Sequence, residues 1–135
     1  MRFDIITIFP ELFEPFIKES LLKRAQAKGI LFIEAHNLRK WTKDKHRVVD
    51  DKPYGGGPGM VMRAEPIVRA VEKAISKVKD KNKVLIINFI PSAEKFTTEF
   101  AKKVSKKYTD IVLICGRYEG IDARVDKIFK TKKIS

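Results

Sequence analysis

At 135 residues, 44% of them apolar, the chain has the length and content of one domain with a packed core, which excludes a disordered tail. A single cysteine, Cys115, excludes an internal disulfide and points to a reducing compartment. The formal net charge of +12 is uneven, about +3 over residues 1–66 and +9 over residues 67–135. That balance suggests a polyanionic partner, nucleic acid before membrane, with a merely solvated lysine face such as Lys102–Lys107 as the alternative.

The first stretch, Phe3–Phe9, is a β-rich run closed by Pro10 and reads as a buried strand. It lacks the apolar core and cleavage site of a signal peptide, and no segment has the apolar length of a membrane span. The chain is therefore expected to be soluble and cytoplasmic. Glu11 to Lys28 carries apolar residues at helical spacing, split into two short helices if Pro15 begins one, with Gly29 as a C-cap. Ile30–Ala35 reads as a second strand.

Asn37 to Met62 reads as a long polar loop, and loops of that length are usually functional. Ala64–Val78 returns to helical spacing. Lys83–Ile90 is nearly all apolar and reads as a strand covered on both faces. Ser92 is the candidate cap of a helix from about Ala93 to Val104, with Phe96 and Phe100 four apart. Asp110–Ile114 is a further buried strand, followed by a short helix near Ile121–Phe129. Alternating strands and helices with apolar strands predict an α/β domain with a mostly parallel sheet flanked by helices. Ligands of such sheets sit beyond the carboxyl ends of the strands, where Ile90–Glu94 and Cys115–Gly120 fall.

Two segments stand out chemically. DDKPYGGGPGM, Asp50 to Met60, holds four of the seven glycines between Gly55 and Gly59. It has neither the Gly-Lys-Ser/Thr of a Walker loop nor the third glycine of a dinucleotide fingerprint. Glycines let a ligand or another backbone approach closely, and Pro53 and Pro58 stiffen what they loosen. A tight packing loop with no ligand is the alternative. Asp50 and Asp51 can accept from a base edge or bind a cation, or be tied into local turns. His36 and His46 lack metal-ligand spacing with the cysteine, so zinc is not expected. The second segment is ICGRYEGIDARV, Ile114 to Val125. Gly116 and Gly120 bracket Arg117, Tyr118 and Glu119, and a carboxylate there can complement a cationic ligand or take a proton. Cys115 reads as a small core side chain rather than a nucleophile.

KHRVVDDKPYGGGPGM, followed about fifty residues later by LICGRYEGIDARV and preceded by FDIITIFPELF, resembles the bacterial tRNA (guanine-37-N1)-methyltransferases. The likeness runs over essentially the whole chain. It implies the knotted SPOUT type of α/β fold, with residues 1–135 as an S-adenosyl-L-methionine-binding domain. It implies methyl transfer from that donor to N1 of guanosine 37 of tRNA, by a homodimer whose active sites use both subunits. Carried over by position, Asn88, Phe89, Ile90 and Pro91 form one donor-contacting loop, and Gly116, Tyr118 and Glu119 another part of the pocket. Asp50, Gly55, Gly56, Gly57, Pro58 and Gly59 lie by the target guanine, with Gly59, Glu119 and Asp122 supporting activity. No metal ligands are assigned, and a magnesium requirement is left open.

Two departures modify this expectation. The family's Ser-Pro-Gln-Gly is replaced by Ile90-Pro91-Ser92-Ala93. The sequence also stops at Ser135, where the family continues into the rest of the knot, a linker with the usual catalytic aspartate and a helical tRNA-gripping domain. The expectation is the N-terminal part of a longer enzyme, its knot incomplete, and inactive or nearly so alone. The competing expectation is a non-catalytic RNA-binding or dimerisation module on the same fold.

Overall fold

The computed structural model describes residues 1–135. Five parallel strands form the main sheet: β1 (Arg2–Thr7), β2 (Phe32–Asn37), β5 (Val84–Glu94), β6 (Asp110–Ile114) and β7 (Lys132–Ile134). Their order is β2-β1-β6-β5-β7. A separate antiparallel pair, β3 (Asp50–Asp51) and β4 (Val61–Met62), closes the glycine loop at its base. The parallel sheet and its flanking helices are those expected from the alternation of elements.

Strand side chains alternate between two layers. Ile6, Ile86, Val112 and Ile114 face one side, where Ile67, Ala70 and Val71 of α3 (Ala64–Ile75) and Val125 of α5 (Arg124–Phe129) complete the larger core. Ile87, Ile111 and Ile134 face the other side, where α4 (Thr98–Lys107) contributes Val104 as its buried side chain. This second layer is thin, and an apolar groove of about 500 Å³ lined by Met1, Phe3, Phe89, Phe96 and Phe100 remains open. No helix is long and apolar enough to cross a membrane.

Pro15 stands at the start of α1 (Glu14–Lys18) rather than bending a longer helix, and extended Glu19 separates α1 from α2 (Ser20–Ala27). Gly29 follows with φ +69°, the left-handed turn expected of a C-terminal glycine. Other expectations are corrected. The second strand is Phe32–Asn37, two residues later than read. The 37–62 stretch is not structureless: it holds a 3-10 turn at Leu38–Trp41 as well as β3 and β4. Ser92 caps nothing, because β5 continues to Glu94; the cap of α4 is Thr97, whose side chain accepts from the Phe100 amide. The β5–β7 register shifts between Phe89 and Glu94, both opposite Ile134. Pro91 cannot donate to a ladder, and its place in this bulge meets no donor demand.

A buried ion network fixes the start of the sheet. The carboxylate of Asp4, 2% exposed, accepts from Arg2 Nε at 2.8 Å and Arg2 Nη2 at 2.8 Å and lies 2.7 Å from His36 Nε2. Arg2 Nη2 also donates to Glu34 at 2.9 Å. Asp4, Glu34 and His36 have their ligand atoms within 4.8 Å of one another, a spacing that suits a cation, and the guanidinium of Arg2 serves as that cation.

Candidate functional site

Where β6 ends, the chain turns into Cys115–Gly120, anchored by Cys115 N–H donating to the Ile6 carbonyl at 3.0 Å. This loop is stitched to the far side of the glycine loop. Glu119 N–H donates to Met60 O at 3.0 Å, Met62 N–H to Gly120 O at 2.9 Å, and Asp122 N–H to Met62 O at 3.0 Å. Arg117 N–H reaches the Met62 sulfur at 3.1 Å. These bonds hold Tyr118 at φ +61°, a conformation that costs a non-glycine residue on the order of 1 kcal/mol. The ring it carries is 44% exposed.

The two motifs meet at Gly59. A Cβ built on Gly59 would lie 2.5 Å from Cγ and 3.0 Å from Oε1 of Glu119, and the backbone there has φ +89°. Only glycine satisfies both conditions. Gly116 is similarly closed by the Ile121 side chain at 3.1 Å. Gly55, Gly56 and Gly57 differ: a Cβ on any of them meets nothing within 4 Å, and of the three only Gly56 has a positive φ, +73°. Contacts within the chain thus account for Gly59 and leave Gly55 and Gly57 without an intramolecular reason.

A cavity of about 740 Å³ opens between the bulge of β5 and the Cys115–Gly120 loop. Its walls include Asn88, Phe89, Ile90, Pro91, Gly116, Tyr118 and Glu119, together with Ser92, Ile121, Asp126 and Lys133. It lies at the carboxyl ends of β5 and β6, the usual ligand position in such sheets, and its size is ordinary for a small-molecule site. A neighbouring cleft of about 620 Å³ is lined by Asp51, Tyr54, Glu65, Asp122 and Arg124 and shares Ile121 and Ala123 with the first.

The acidic groups are held differently. Asp122 accepts from the Arg124 amide at 2.9 Å and from Arg124 Nη2 at 2.7 Å, and these bonds hold its carboxyl below the ordinary range. Burial alone would raise Asp126. Hydrogen bonds from Thr131, from Asn88 Nδ2 at 3.0 Å and from Lys133 at 3.1 Å outweigh it and keep the carboxylate charged. With Arg124 committed to Asp122 and Lys133 to Asp126, the exposed Glu119 carboxylate has no ion-pair partner at the cavity. Asn88 is 2% exposed and its Oδ1 has no hydrogen-bond partner within the chain.

Burial pushes the Cys115 thiol up to about 11. Thiolate is the reactive form, so alkylation by iodoacetamide at pH 8 is expected to run about 100-fold slower than for a free cysteine. Intact-mass measurement over time checks this, and rapid labelling of the folded chain would show that the thiol is accessible and ionised.

The family model described as "tRNA (Guanine-1)-methyltransferase TrmD" matches residues 1–135. The chain belongs to the TrmD family. A tRNA (guanine-N(1)-)-methyltransferase of Thermomicrobium roseum is 51% identical over 135 residues, all of this chain and 49% of that protein. The Dictyoglomus turgidum protein of the same name is 50% identical over all of this chain and 52% of its own length. The chain spans about half the length of the curated relatives it matches. The crystal structure of tRNA (m1G37) methyltransferase from Aquifex aeolicus superposes with a TM-score of 0.83 at 38% identity, over 100% of this chain and 59% of that one. The fold is that of the TrmD methyltransferases, of the SPOUT class.

In this TrmD-family chain the seven residues expected to contact a donor share one cavity wall. The residues expected beside a base are spread out. Gly59 touches Glu119, whereas Gly55, Gly56, Gly57 and Pro58 are exposed and line neither cavity. Of the aspartate pair, Asp51 lines the smaller cleft, and Asp50, half-buried opposite Met62, does not. Asp126 and Lys133, which also line the cavity, lie outside both quoted motifs.

Proposed function

We propose that this chain is the donor-binding domain of a tRNA (guanine-N1)-methyltransferase, one that binds S-adenosyl-L-methionine and acts on N1 of guanosine 37. The observation that carries this reading is the cavity at the ends of β5 and β6, walled by the β5 bulge and the Cys115–Gly120 loop, with the Glu119 carboxylate laid against Gly59 of the glycine loop. The donor would be held by Asn88–Pro91, Gly116, Tyr118 and Glu119. Its fit is supported by three features of the site: the cavity volume, the unpaired carboxylate of Glu119 for a cationic ligand, and the unpartnered Asn88 Oδ1 beside a ligand rich in N–H and O–H groups. When bound, such a donor supplies an already activated methyl group.

The chain's own residues then have to align the acceptor and manage a proton. N1 of guanine carries a hydrogen and is a poor nucleophile until it leaves, so a carboxylate within reach serves as general base. Glu119 is free for that role, whereas Asp122 is engaged by Arg124 and acts by setting the loop. N1 lies on the pairing edge of the base, so the guanine enters unpaired. The open space around Gly55 and Gly57 suits the approach of a flat base or a second subunit. A homodimer is supported by the open apolar groove on the α4 side and by Leu12, Phe16 and Leu21 at 63–71% exposure.

Titration of fluorescent tRNA transcripts bearing G37 or A37, with S-adenosylhomocysteine present, tests the reading. Binding that favours G37 by tenfold or more supports it. Equal affinity for both transcripts supports the non-catalytic RNA-binding module instead, and no binding of either at low salt overturns the tRNA assignment.

A further inference from the structure

The 740 Å³ cavity is not the most capacious concavity of the molecule. A groove of about 960 Å³ lies at the opposite edge of the sheet, where β1 and β6 begin. Lys40, Lys73, Lys77, Lys79 and Lys83 line it, and none of them is in an ion pair. Three carboxylates share the lining with these five lysines and Arg2: Glu34 is paired with Arg2, while Asp80 and Asp110 bond only neutral donors and keep their charge, so the wall remains net positive. Glu34 accepts from Arg2 at 2.9 Å, Asp80 from the Asn82 amide at 3.0 Å, and Asp110 from the Thr109 hydroxyl at 2.7 Å.

Some of this charge has a purely local explanation. Lys73 and Lys77 flank the C-terminal end of α3, where cations complement the helix dipole. Lys40 and Lys83 lie in 3-10 turns of four and three residues, too short to carry an appreciable dipole, and Lys79 lies in no helix. Unpaired like charges gathered in a concave wall repel one another, and the wall focuses their field outward. A flat membrane surface cannot enter a groove; a sugar–phosphate backbone can.

We infer that this lysine-lined groove at the amino-terminal edge of the sheet binds the phosphate backbone of the substrate RNA, away from the cavity where the target base is handled. Strands of five or six residues separate the two edges by roughly 17–20 Å, so one folded RNA can span both. This inference rests on the tRNA reading above and adds a second contact surface to it.

The test compares two triple variants of equal charge change. One is Lys40→Gln, Lys79→Gln and Lys83→Gln in the groove. The other is Lys102→Gln, Lys103→Gln and Lys106→Gln on α4, where the lysines stand on a convex helix. All six lysines are exposed, so folding is expected to survive, and thermal melts check it. Affinity for a whole tRNA transcript is measured from 50 to 200 mM salt. Each lost phosphate contact lowers the log–log salt slope by about 0.9. The groove variant is expected to lose about 2–3 from the slope and at least tenfold in affinity at low salt, and the α4 variant close to nothing. Equal slopes for the groove variant and the unaltered chain, or equal losses in both variants, overturn the groove while leaving the tRNA reading intact. Failure of the unaltered chain to bind tRNA overturns both.

Discussion

Replacing Gly59 by alanine is expected to abolish most donor binding while removing only about 1–2 kcal/mol of stability. The stability cost comes from the backbone, since φ +89° is a conformation that an L side chain occupies only under strain. The functional cost comes from a collision. The new Cβ would sit 2.5 Å from Cγ of Glu119 and 3.0 Å from its Oε1, so the carboxylate has to leave. Glu119 is exposed, and its displacement disturbs the cavity wall more than the core. Calorimetric titration with S-adenosylhomocysteine should show at least a tenfold loss of affinity, alongside a modest drop in melting temperature. In a Glu119→Ala background the same glycine change should cost the backbone strain alone and little further affinity. A large loss of stability with unchanged donor affinity would mean that the glycine loop is packing and nothing more.

Replacing Arg2 by methionine is expected to cost about 3–5 kcal/mol, because it strips the Asp4 carboxylate of its bidentate partner while leaving it 2% exposed. Adding Asp4→Asn to that variant should recover part of the loss, since an amide is cheaper to bury than a carboxylate left with His36 as its one partner. The pH dependence has a definite sign. Burial raises the Asp4 carboxyl, but bonds from His36 and Arg2 outweigh it and hold the group below the ordinary range. Its contribution is present above the unfolded value near ~3.9 and is lost as pH falls through the lower folded value. Without Arg2 the folded value moves up from that depressed position, with burial opposed by His36 alone, so protonation costs the variant less. The stability gap between the two proteins should narrow between pH 7 and pH 4. Urea melts across that range measure it, and a gap that widens on acidification would contradict the network as drawn.

Much of the sheet was legible because β-branched runs advertise buried strands. DIIT, VLII and DIVLI became β1, β5 and β6, and the apolar spacing of Ile67, Val68, Val71 and Ile75 became α3. What failed was local and short. Ser92 and Thr97 are equally good caps by composition, and the choice fell to the pairing of Glu94 with Ser135, which keeps β5 extended past Ser92. Lys132–Ile134 is too brief and too charged to read as a strand, and it exists only because β5 offers it an edge. The strand-end rule already pointed to Ile90–Glu94 and Cys115–Gly120, and the motif resemblance added Asn88 and Phe89. The contact between Gly59 and Glu119, and the bond of Asn88 to Asp126 across 38 positions, have no local signature, because folding alone brings them together.

On the proposed reading, the β5 bulge and the Cys115–Gly120 loop form one donor site at the ends of β5 and β6, with Gly59 backing Glu119. Backbone amide chemical shifts recorded during titration with S-adenosyl-L-methionine test it most directly. The account predicts saturable shifts concentrated in residues 88–92 and 116–121, with Gly59 among them. Shifts confined to other surfaces, or none at millimolar donor, would contradict it.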